Sequence, residues 1–273
     1  MTTSLISHPE IQRITEENDL LREELTKLLT EAEDLVNTIK PNLLALYQTK
    51  IGVWELRLLQ AKFRVARLRR QIELAQASIN RGERPNIAVI ECTIETEFLS
   101  WLSKLEETAQ RIREAEDRLK HLLSPAEDRE LKRLYYAIVK RLHPDVNPGT
   151  SSDNQRLWLR AQSAYENGDL AELRALSLLV GKSIATPKTL DQLRQDQAVL
   201  ESQIIAMIEK LELIEAHPPF TVRPQLEDEI WLTTRRQDLD RQTAELCRQG
   251  DVLNKHWQAL IGGIEHGTSF SQN

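Results

Sequence analysis

Apolar residues recur along this chain at alternating spacings of three and four, the mark of long helices burying one stripe. Ser7, Pro9 and Glu10 read as a capping box opening the first of them, because serine and glutamate side chains satisfy the orphan amides of a helix start. Ile11, Ile14, Asn18, Leu21, Leu25, Leu28, Ala32, Leu35 and Ile39 then keep a single face. Pro41 lacks an amide and disfavours helix at Lys40, which predicts a kink or a turn there. The seam resumes with Leu44, Tyr47, Ile51, Trp54, Leu58, Ala61, Val65, Leu68, Ile72, Ala75 and Ile79.

The breaker run Asn80-Arg81-Gly82-Glu83-Arg84-Pro85-Asn86 predicts a reversal. The returning arm carries Ile94, Phe98, Trp101, Leu105, Thr108, Ile112, Ala115, Leu119 and Leu122, so residues 41–123 are expected to form an antiparallel coiled-coil hairpin. A weaker seam from Leu190 to Ile214 precedes the breaker His217–Pro224. A last arm follows with leucines at 232, 239, 246, 253 and 260, interrupted at the companion positions Arg236, Thr243 and Gly250. This predicts a C-terminal helical hairpin over 187–261, with a flexible tail over 262–273.

Between the two hairpins lies a segment of different character. Ser124-Pro125-Ala126-Glu127 joins an N-cap, a proline at the first helical position and a capping-box glutamate. Leu131, Leu134, Ile138 and Leu142 share one face of the helix that follows; Arg129, Lys132, Arg133, Tyr136 and Lys140 line the other. His143-Pro144-Asp145 ends it, since proline biases the preceding residue out of helical geometry and leaves the polar neighbours in a loop. A third helix carries Leu157, Trp158, Ala161, Ala164 and Tyr165 before the C-cap Asn167-Gly168, and Asp169 to Glu172 opens a short helix reaching about Val180.

This stretch, about residues 119–168, resembles the J domain of DnaJ-family co-chaperones, with its basic second helix, His-Pro-Asp loop and Ala-Tyr pair in the third helix. The resemblance implies a partner, a DnaK-type chaperone ATPase, whose hydrolysis the tripeptide stimulates and whose acidic surface the basic helix engages. Carried over, the docking residues are His143, Pro144 and Asp145 with Arg129, Lys132, Lys140 and Arg141. Tyr135 stands at an aromatic core position and Trp158 where the family usually has phenylalanine. Tyr136 and Ala137 depart from usually basic positions, and no separate first helix with Tyr-x-x-Leu-Gly precedes Ser124. The end of the long arm, near Leu119 to Leu123, is expected to take that helix's place. The expected fold class is therefore all-α: extended antiparallel coiled-coil hairpins flanking a J-domain-like helical module at 119–181, with 1–40 an N-terminal coiled-coil helix.

Composition agrees with helices: nine glycines, 5% aromatic and 29% charged residues. Cys92 and Cys247 stand far apart without metal-ligand spacing, as reduced thiols do. Nothing approaches the ~18 apolar residues of a membrane span, which predicts a cytoplasmic protein. The formal net charge of -6 disfavours general nucleic-acid binding. The stripe Arg57, Lys62, Arg64, Arg67, Arg69 and Arg70 is better matched to the acidic returning arm, from Glu91 to Asp117. Neither a nucleophile with a base nor a glycine-rich phosphate loop is evident, so the chain reads as a non-enzyme that needs no cofactor or metal. Asn18 in the first seam suits a register-setting polar core residue. It leaves two pairings open for residues 9–40: a homodimer, or packing on the chain's own hairpin. Three functional readings remain: a co-chaperone whose coiled coils hold a client or assembly partner, a structural coiled-coil adaptor with a degenerate J-like module and, ranked below both, a nucleic-acid-associated coiled coil using the basic second arm.

Overall fold

The computed structural model describes residues 9–148, 151–180 and 189–266. All regular structure among them is helical. The backbone stays helical through α1 (Pro9–Asp34), a π-helical turn (Leu35–Ile39), α2 (Lys40–Tyr47), a second π-helical turn (Gln48–Gly52) and α3 (Val53–Asn80). Pro41 thus neither reverses the chain nor ends the helix. The Lys40 N–H reaches back five residues to the Leu35 carbonyl, a widened turn immediately before a residue with no amide of its own. Ser7, the expected cap of α1, lies outside the described residues.

The remaining helices are α4 (Ile87–Glu97), α5 (Leu99–Lys120), α6 (Pro125–Leu142), α7 (Ser152–Glu166), α8 (Leu170–Leu179), α9 (Leu190–Glu215), α10 (Arg223–Glu227) and α11 (Glu229–His266), with a 3-10 turn at Phe220–Val222. Residues 262–266, expected in the flexible tail, belong to α11. Two compact units divide the chain, each assembled from separate stretches.

One unit comprises Met1–Leu43 with His121–Val222. Here α9 lies along α1 in parallel: Glu10 meets Arg194 at 2.6 Å, Gln197 donates to Glu17 at 3.2 Å, and Ala32 and Leu35 pack with Leu211. Asn18, fully buried, donates from Nδ2 to the Leu193 carbonyl at 2.8 Å. The first seam is thereby covered within the same chain. Thr189 and Gln192 close a capping box at the start of α9. Helices α6, α7 and α8 pack together on Leu25 and Leu29 of α1 and on Leu200 and Ile204 of α9.

The other unit comprises Leu44–Lys120 with Arg223–Asn273. α3 reverses at Gly82, which takes φ +75°, into α4, capped by Asn86, and then α5. Charges match across these antiparallel arms: Arg67 to Glu91 at 2.6 Å and Arg70 to Glu97 at 2.7 Å. α11 runs parallel to α3, with Arg235 near Glu55, Arg64 on Asp251 at 2.9 Å, and Trp257 buried with Leu68 and Ala75. The hairpin expected over 187–261 is therefore replaced by two parallel pairings, α9 with α1 and α11 with α3. One interruption of the last seam has a use: Arg236 lies over Trp54 at 4.8 Å and donates to the Lys50 carbonyl.

Candidate functional site

α6 begins at the Ser124 capping box, where Glu127 returns its carboxylate to the Ser124 N–H, and it ends at His143, whose backbone turns extended at ψ 129°. The loop that follows is held by its own hydrogen bonds. Val146 and Asn147 both donate to the His143 carbonyl, and the Asn147 side chain caps the Lys140 carbonyl at 2.9 Å. Val146 is buried in the core, so the loop is pinned on its far side while Pro144 and Asp145 stay exposed.

His143 itself is largely covered, its side chain 15% exposed, with its ring edge-on to Trp158 at 4.8 Å. Nδ1 accepts the Asp145 N–H at 3.1 Å, an arrangement that requires the neutral ring with its proton on Nε2. Burial, reinforced by the positive charge of Lys210, pushes the imidazole pKa down, against the pull of Asp145. Behind it stacks an aromatic column, Trp158 on Tyr135 at 5.9 Å and Tyr135 on Tyr165 at 4.0 Å. The Tyr165 hydroxyl donates to Asp34 of α1 at 3.2 Å; the Tyr135 hydroxyl is buried without a partner.

The structure divides the expected basic residues. Arg129 and Lys140 are exposed on the open face of α6, joined by Arg133, which helical angle also places there. Lys132 instead bridges Asp34 at 3.0 Å and Asp128 at 3.1 Å; burial would lower its pKa, and these carboxylates more than reverse that. Arg141 turns away to donate to the Val180 carbonyl at 3.0 Å, capping the end of α8. Tyr136, half-buried, has its phenol pushed up by burial and by Glu23 of α1. Beside the loop, Glu16, Asp19, Leu20, Arg22, Glu23, Lys140 and Val146 line an open groove of about 610 Å³.

No family model, curated protein or solved structure matches this chain.

The place expected for Leu119 to Leu123 as a substitute first helix is filled differently. α5 stops at Lys120 and Leu122 is 49% exposed; α1 supplies the apolar cover through Leu21, Leu25, Leu28 and Leu29, with only Leu123 of the expected segment packing there. Nothing near α6 in the sequence could identify α1, about a hundred residues earlier, as that cover. No group of three or more His, Cys, Asp or Glu side chains suited to a metal ion occurs among the described residues. No helix among them is long and apolar enough to cross a membrane.

Proposed function

We propose that this chain is a co-chaperone that brings a DnaK-type chaperone ATPase to a client or assembly held by its coiled-coil helices, and stimulates ATP hydrolysis on that partner through the His143-Pro144-Asp145 loop. The observation that carries the reading is the loop's construction: a tripeptide with Pro144 and Asp145 exposed, rigidly capped at the end of a helix whose Arg129, Arg133 and Lys140 face outward. A pinned loop presents its polar groups without further ordering cost, and the exposed cations steer an acidic partner surface. ATP binds the partner; this chain contributes positioning and charge.

A second reading, a structural adaptor with a degenerate J-like module, draws its support from Lys132 and Arg141, whose charges are spent inside the unit on Asp34 and on Val180. Single-turnover ATP hydrolysis by a DnaK-type chaperone from the same cell separates the two. The co-chaperone reading expects stimulation by the wild-type protein and a return to the basal rate with His143→Gln. No stimulation by the wild-type protein would select the adaptor.

A further inference from the structure

Helix α6 carries an acidic neighbour of its own. Within the same unit α1 runs antiparallel to it: Asp34 meets Lys132, Glu23 lies against Tyr136, and Glu16, Asp19 and Glu23 line the groove that Lys140 enters. These acids sit at 16, 19, 23 and 34, positions that fall on one side of α1 by helical angle, interrupted by the exposed Lys27. Arg22 also reaches the groove, but its guanidinium pairs with Asp19 at 2.8 Å and Asp196 at 3.5 Å, so Glu16 and Glu23 are the groove-lining acids that share it with Lys140 outside that pairing.

We infer that α1 is an internal screen over the docking face, its acidic row competing with the acidic surface of the chaperone for α6. The inference rests on the co-chaperone reading above. Two physical effects act in the same direction. Carboxylates within about a Debye length, ~8–10 Å at ordinary ionic strength, weaken the positive potential that Arg129, Arg133 and Lys140 present. They also share the sign of the approaching surface and repel it. Lys132 and Tyr136, drawn toward α1, add nothing to the open face while that contact stands. Neutralising the row is then a gain of function, which a merely structural contact would not give.

The test uses the full chain and a DnaK-type chaperone, measuring binding by titration and ATP hydrolysis in single turnover for wild type and for the Glu16→Gln, Glu23→Gln double variant, each also with His143→Gln. Asp34 is left intact because it also accepts the Tyr165 hydroxyl in the core. Binding roughly threefold to tenfold tighter is expected, the range that exposed charges command, with an unchanged rate at saturation and a difference that shrinks with added salt. Glu16→Gln alone, at an exposed position, provides a variant with no packing role and should move binding the same way by less. Stimulation that depends on His143 but binding that is equal or weaker in both variants would overturn the screen and leave the co-chaperone reading standing. Absence of His143-dependent stimulation in every protein would overturn that reading and the screen with it.

Discussion

His143 joins the exposed loop to the buried aromatic column, and its neutrality is part of the joint. Its Nδ1 can accept the Asp145 N–H only while unprotonated, and burial beside Trp158 disfavours the charged ring. A base whose folded pKa lies below its unfolded value binds its proton more weakly when folded, so the unfolded chain takes up protons first. The stabilisation is complete above the ordinary imidazole value of about 6.5 and is lost as pH falls through the folded value. Urea unfolding at about pH 7.5 and about pH 5.5 should therefore show the wild type weakening on acidification, and His143→Gln should show a smaller change. Equal pH dependence in the two proteins would mean that the ring titrates alike folded and unfolded.

Among elements, the α3–α4 contact depends on one carboxylate more than on its neighbours. Glu91 accepts from Arg67 and from Gln71, each at 2.6 Å, and Gln71 is only 6% exposed. Arg70 and Glu97 form a comparable pair at the surface, where solvent screens it and little stability is at stake. Glu91→Ala strips a buried amide of its acceptor, at a cost of about 1–3 kcal/mol in equilibrium unfolding, whereas Glu97→Ala should cost less than about 1 kcal/mol. Similar losses for both would place Gln71 in contact with water. The same logic accounts for Asn18 in α1: one end of its amide is satisfied by the Leu193 carbonyl and the other is not, a polar group tolerated in a seam whose register it marks.

At the scale of the whole molecule, the N-terminal helices carry seams that chain more than 170 residues later covers, α9 on α1 and α11 on α3. Truncation after residue 188 would remove Leu211 from Ala32 and Leu35 in one unit and Trp257 from Leu68 and Ala75 in the other. Uncovered heptad faces associate with whatever complementary helix is present, another copy included. Sedimentation of the 1–188 fragment should show concentration-dependent self-association, with the cooperative unfolding of the full chain lost. A monomeric, cooperatively folded fragment would show that α9 and α11 are dispensable covers.

Much of the local structure was legible in the residues themselves. Ser124-Pro125-Ala126-Glu127 and Asp169 start helices where capping chemistry requires, and Pro144 ends α6 because proline restricts His143. Most of the expected seam from α1 to α3 is buried or half-buried, though Leu44 and Ile79 are exposed and Thr26, Leu29 and Gln71 are buried outside it, and the exposure of Pro144 and Asp145 follows from the breaker that frees them. These are short-range matters of amide satisfaction and side-chain period, settled within a turn or two of helix. Partner choice was decided only in three dimensions. A heptad states that a face is buried and leaves open by which helix, so α9 and α11 took parallel positions on α1 and α3 where a hairpin was expected. Likewise the helical angle of Lys132, Tyr136 and Arg141 placed them on or near a free basic face, but the arrival of Asp34, Glu23 and the Val180 carbonyl from distant stretches engaged them. Charges bind the nearest complement in space, and spatial proximity across more than a hundred residues is a property of packing that spacing along the chain does not carry.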